Sequence, residues 1–232
     1  MYRKCLYNGK ALAYVENAWE FKNEKDKEKT FDITFEKAET LNKEKIEAVV
    51  EKYSCPDVEY AFRVYVTVGN INFMVDRVKA TYPICIYSDF CFENADHCLS
   101  INVADKSKLV VRNGDGAFKF FRMLNVMDGN DMLPTAGLMF KESAASNGVD
   151  MNMNYYTGLH KQGLDHTTVF CLCTGDSVNI PGWHMKTLED GGLLAEPKDK
   201  VESYVLYVND DVITVKSLAS GEVLDIDLKK YM

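Results

Sequence analysis

The stretch Tyr60-Ala61-Phe62-Arg63-Val64-Tyr65-Val66-Thr67-Val68-Gly69-Asn70-Ile71-Asn72-Phe73-Met74-Val75 decides the fold class. Tyr60, Phe62, Val64, Val66 and Val68 recur at every second residue, and Ile71, Phe73 and Val75 resume the alternation after Gly69-Asn70. Side chains of an extended strand point to opposite faces with period two, so this spacing lays one apolar face on a core. Gly-Asn tolerates the positive φ of a two-residue hairpin turn. The stretch predicts two antiparallel strands joined by a tight turn.

The same pattern spreads outward in both directions. Asn8-Gly9 separates the apolar runs Cys5–Tyr7 and Ala11–Val15, a second hairpin signal, and Phe31, Ile33 and Phe35 alternate with Asp32 and Thr34. Further strands are expected at Ile84–Tyr87, Leu99–Val103, Leu109–Val111, Phe118–Val126, Ala136–Phe140 and Thr167–Cys173. The chain ends on a three-strand meander over Tyr204–Val208, Val212–Val215 and Ser220–Ile226. One segment has a different period. Ile46, Val49, Val50 and Tyr53 follow the i, i+3, i+4, i+7 rule, Thr40 or Asn42 can cap them, and Cys55-Pro56 follows, so a helix is expected over residues 40–54.

The expected architecture is therefore mainly β, a β-rich α+β chain of antiparallel sandwich or barrel-like sheets with one bracing helix at about 40–54. Residues 1–140 form the main β domain and 141–157, rich in Ser, Ala, Asn, Gly and Met, a loop or connection. Residues 158–232 continue the β core, and their closing meander meets the minimum for a sheet that is stable by itself.

Composition narrows the function classes. At 232 residues with 47% hydrophobic and 12% aromatic residues, the chain can bury a sizeable core. Its 27 basic residues against 35 acidic ones leave a net charge of −8, which disfavours nucleic acid, whose binding depends on Lys and Arg neutralising phosphates. No run of ~18 apolar residues predicts a membrane helix. The opening Met1-Tyr2-Arg3-Lys4-Cys5 lacks the apolar core of a classical signal peptide, so a cytoplasmic setting with reduced thiols is expected for the 7 cysteines.

No cofactor or metal is implied. Cys85, Cys91 and Cys98, and the pair Cys171 and Cys173, have none of the close-pair spacings of structural zinc sites. Phosphate-binding glycine loops and a Gly-x-Ser-x-Gly elbow are also absent from the sequence. The most chemically suggestive cluster is His160, Asp165 and His166: two imidazoles and a carboxylate in a glycine-containing segment entering a strand, fit for acid–base work. His166-Thr167-Thr168-Val169 is similar to the His-x-Thr-x strand motif of two-histidine phosphoesterases, but a second copy is missing. Trp183-His184, after Pro181-Gly182, is a candidate binding-loop anchor, because tryptophan is enriched at interaction hot spots.

Turn and core roles account for most of these residues. The chain accordingly reads as a non-enzymatic structural or interaction protein, an oligomeric assembly module such as a virus or phage particle component. Its partners are then proteins or copies of itself, met through loops and strand edges. The alternative is a hydrolase or phosphoesterase using His160, Asp165 and His166. A small-ligand barrel, resting on aromatic content alone, ranks third.

Overall fold

The computed structural model describes residues 2–7, 10–23, 30–94, 100–105, 108–113, 116–123, 135–143, 150–158, 161–176 and 179–232. The strands are β1 (Tyr2–Tyr7), β2 (Lys10–Asn23), β3 (Thr30–Phe31), β4 (Thr34–Asn42), β5 (Ile46–Ser54), β6 (Val58–Val68), β7 (Ile71–Asn94), β8 (Ser100–Asp105) and β9 (Lys108–Asn113). They continue as β10 (Gly116–Met123), β11 (Thr135–Ser143), β12 (Asp150–Gly158), β13 (Lys161–Asp176), β14 (His184–Thr187), β15 (Leu193–Glu196), β16 (Tyr204–Asn209), β17 (Val212–Ser217) and β18 (Val223–Asp227). The mainly β, antiparallel architecture expected from the alternation is what the chain adopts.

An 11-stranded sheet runs β4-β5-β6-β7-β13-β10-β9-β8, with β1, β2 and β3 attached through β2 to β7. A 5-stranded sheet follows chain order from β14 to β18, and β11 and β12 pair as a 2-stranded hairpin. The opening Tyr60–Val75 stretch is the β6–β7 hairpin, with Val68 opposite Ile71 across the Gly69-Asn70 turn. Gly69 takes a φ of 54°, the left-handed conformation that such a turn needs at its first central position.

β7 is 24 residues long because it serves two neighbours in succession. Its first part pairs with β6 up to Ala80. From Ile84 onward it pairs with β2. Pro83 falls in the interval, opposite the place where the β13 register also slips, between Gly163 and Asp165. A proline has no N–H to give a ladder, so it fits where neither flank asks for one.

The core follows from the alternation. Phe62, Val64, Val66 and Val68 of β6, Ile71, Phe73 and Val75 of β7, and Val169, Cys171 and Cys173 of β13 pack in one cluster with Leu206, Ile213, Val215 and Ile226 of the 5-stranded sheet. The two sheets thus stack face to face as a sandwich, and the closing meander shares its core with the main sheet. The opposite face of the large sheet holds a second, smaller cluster built on Phe21, Phe31, Ala61, Val78, Ile84 and Ile86.

Residues 40–54 are not a helix. They form the end of β4, a turn, and β5, paired with each other from Asn42↔Glu47 to Thr34↔Ser54. Ile46, Ala48 and Val50 bury against the sandwich core, while Glu51 on the other face is only 3% exposed. A strand buried on both faces carries large side chains at odd and even positions, and that run imitates the helical i, i+3, i+4 spacing. The β-branched Ile46, Val49 and Val50 of β5 favour the extended form. Within 141–157, residues 141–143 close β11 and 150–157 lie in β12; 144–149 lie outside the described residues.

Candidate functional site

The segment that carried the acid–base expectation lies on β13. His160 lies outside the described residues. Asp165 and His166 are neighbours in a strand and so project to opposite faces. Asp165 forms an ion pair with Arg77, and its side chain is 53% exposed. His166 is opposite Val78 and only 2% exposed. Asp165 and His166 therefore do not share a face of β13, and His160, the third member of the expected cluster, lies outside the described residues.

Arg77 is the organiser of this corner. Its guanidinium also donates to the Asp210 carbonyl at 2.9 Å and approaches Asp211 at 3.5 Å, tying β7 to the turn between β16 and β17. The Tyr60 hydroxyl donates to Asp211 at 2.5 Å. Burial, together with that hydrogen bond, raises the Tyr60 pKa, so the phenol stays protonated and serves as a donor. These contacts clamp the two sheets together.

The opposite face of the large sheet carries a second buried polar group. Arg63 donates to both oxygens of Asp76, at 2.6 and 2.8 Å, with both side chains 3% exposed. The Trp19 ring covers the guanidinium at 4.3 Å, and the Tyr53 hydroxyl donates to Glu51 at 2.7 Å. Burial by itself would lower the Arg63 pKa, but the Asp76 carboxylate more than reverses this. Closed charge pairing of this kind positions strands and offers no open coordination.

The described residues also form an open cleft. A cleft of about 930 Å³ lies at the end of the sandwich, where the β6–β7 turn and the end of β13 meet the loop between β15 and β16. Asn70, Asp176, Asn179, Trp183, Lys198 and Glu202 line it. Trp183 follows a short 3-10 turn, Ile180–Gly182, with proline in its first turn, where a missing N–H leaves no bond unmade. Ile180 and Trp183 both belong to the main core, 0% and 7% exposed, so this end of the cleft is anchored by buried apolar side chains.

The walls are fixed by local bonds. Asp176 accepts from the Asn179 N–H and from its side-chain amide, each at 2.8 Å. Thr174 N–H donates to the Asn70 carbonyl at 2.9 Å, pinning the hairpin turn to β13. In the far wall Lys200, at a φ of 58°, donates to the Pro197 carbonyl at 3.0 Å, and Asp199 accepts from the Val201 N–H at 3.3 Å. Gly182 lets that wall approach, since a Cβ there would stand 3.0 Å from Lys198 Cβ. The charged residues of the lining are Asp176, Asp199, Glu202 and Lys198. Neither Lys198 nor Glu202 makes an ion pair among the described residues.

Of the two anchor residues read from the sequence, Trp183 lines this cleft, whereas His184 is exposed on β14 opposite Glu196. Asn70, Asp176, Asn179, Lys198, Asp199 and Glu202 were missed as site residues. Their only sequence signal is turn composition, which serves backbone geometry equally well. Among the described residues, no three His, Cys, Asp or Glu side chains are placed to hold a metal ion. Nor is any helix among them long and apolar enough to cross a membrane.

No protein-family model and no curated protein sequence matches the chain. Solved structures with a similar fold do exist. A heparinase III gene product matches with a TM-score of 0.51 at 8% identity, over 85% of this chain and 28% of that one. A heparinase III matches with a TM-score of 0.50 at 13% identity, over 89% of this chain and 28% of that one. A heparan sulfate lyase from Pedobacter heparinus has a TM-score of 0.48 at 10% identity, over 85% of this chain and 28% of that one. The chain spans less than a third of the length of these proteins. The expectation of a non-enzymatic assembly module, a virus or phage particle component, is overturned by this result: the β fold of this chain is similar to part of the heparinase III structures.

Proposed function

We propose that this chain is the β-sandwich portion of a polysaccharide-cleaving enzyme of the heparinase kind, and that it holds the polysaccharide. The observation that supports the reading is the likeness of 85–89% of the chain to heparinase III at TM-scores of 0.50–0.51. The end cleft agrees with it: a concavity with a few fixed polar groups is a usual form of a small-ligand site.

Holding, and not proton transfer, is the role assigned to the described residues. A lyase breaks its bond by elimination, which needs a base within reach of a substrate proton. His166, 2% exposed, and Tyr60, bonded to Asp211, lie outside the cleft lining, so neither is placed beside a ligand held there. Affinity electrophoresis through gels containing heparin, heparan sulfate or an uncharged polysaccharide tests the reading. Retardation by at least one polysaccharide is expected. Unchanged mobility across the whole panel overturns the proposal.

A further inference from the structure

The geometry points to the open edge of β4 as the surface by which two copies of this chain pair, strand against antiparallel strand, about a two-fold axis at Ala38. This pairing does not depend on the polysaccharide reading above. β4 ends the 11-stranded sheet, and among the described residues only β5 pairs with it. Every residue from Thr34 to Thr40 is exposed, so both faces of the strand meet solvent as well as its edge. Such an edge offers unpaired N–H and C=O groups to a further strand.

The ladder to β5 shows which backbone groups are open. Lys43 N–H donates to the Ile46 carbonyl at 2.8 Å, a hydrogen-bonded pair beside the β4–β5 turn. Such pairs recur at every second residue of an antiparallel ladder, so they fall on Leu41, Glu39 and Lys37. The N–H and C=O groups of Ala38, Thr40 and Asn42 therefore point away from β5, to the open edge.

The charges select the occupant and its register. With the axis at Ala38, that residue faces its own copy as a hydrogen-bonded pair. Lys37 of each copy then lies opposite Glu39 of the other, in the non-hydrogen-bonded pairs whose side chains stand closest. Moving the axis to Glu39 sets Glu39 against Glu39, and moving it to Lys37 sets Lys37 against Lys37. Like charges directly opposite destabilise a pair. No other centre in β4 brings its lysine opposite a glutamate on the same face. Charged side chains ordinarily blunt an edge against foreign strands, but these also complement a copy of themselves. The bulge between Phe35 and Lys37 keeps the regular ladder short, so the dimer is a weak one whose register the Lys–Glu pairs decide.

Sedimentation equilibrium from about 10 μM to about 1 mM tests this, and a concentration-dependent dimer is expected for the parent chain. Lys37→Glu and Glu39→Lys each turn two attractive pairs into repulsive ones, and each alone should weaken the dimer at least about fivefold. An equimolar mixture of the two variants restores both attractive pairs, and so should the double variant Lys37→Glu/Glu39→Lys. Both positions are exposed, and thermal unfolding checks that losing the Lys37 approach to the Tyr231 ring leaves the fold intact. The mixture keeps the test decisive, because a misfolded variant would not recover a partner. A parent chain that stays monomeric at about 1 mM overturns the proposal. So does a dimer that both single variants leave unchanged, or one that the mixture fails to recover.

Discussion

Asp76→Ala is expected to be among the most destabilising single changes in the chain. Arg63 donates to both carboxylate oxygens of Asp76 at 2.6 and 2.8 Å, and both side chains are 3% exposed. Truncating Asp76 removes two charged acceptors from a guanidinium in a site water barely reaches. Removing one partner of a buried pair costs about 3–5 kcal/mol. At roughly 2–4 °C per kcal/mol for a chain of this size, Tm should fall by about 6–20 °C. The Trp19 ring, 4.3 Å from the guanidinium, offsets part of the loss, by about 0.5–2 kcal/mol. Asp76→Asn keeps one acceptor and should fall between. Arg63→Met/Asp76→Leu removes both charges, fills similar volume, and should return stability to the parent value or above it. Urea unfolding, read as a shift in midpoint at constant slope, measures all three. If Asp76→Ala lies within about 1 kcal/mol of the parent, the pair is solvated and the argument from burial is wrong.

Two further outcomes follow from the turn that joins β14 to β15. A Cβ at Gly192 would stand 2.7 Å from Tyr207 Cε1 and 2.8 Å from Val205 Cγ1, so Gly192→Ala should cost about 1–3 kcal/mol, and an unchanged Tm would show that the turn can yield. The Gly192 N–H and the Tyr207 hydroxyl both donate to Asp190, at 3.1 and 2.9 Å, and hold its carboxyl below the usual carboxylate range. A depressed folded pKa stabilises above the unfolded value of about 3.9 and loses that contribution as pH falls through the folded value. Carbon-13 titration of the carboxyl should show Tyr207→Phe moving the midpoint upward, and an unmoved midpoint would exclude the phenol as a cause.

Period two was enough to place the β6–β7 hairpin, its Gly69-Asn70 turn and the closing strands β16, β17 and β18, because each rests on a local rule about where consecutive side chains point. The same rule misled at residues 40–54. Ile46, Ala48 and Val50 meet the 5-stranded sheet while Glu51 and Tyr53 lie under the cover of Trp19, and a sequence shows that a side chain is large but not which face buries it.

Chemistry diverged from the sequence for a related reason. Asp165 and His166 are adjacent in the chain, and adjacency in a strand is what sends them to opposite faces. The cleft reverses the case: Asn70, Asp176, Trp183 and Glu202 are far apart in the chain and meet only because two sheets stack and bring their end loops together. By itself the sequence determined strand content, most turns and an acidic surface, all consequences of neighbouring residues. Which charges pair and which end loops meet at the cleft depend on contacts between distant strands, and those were decided by the tertiary structure alone.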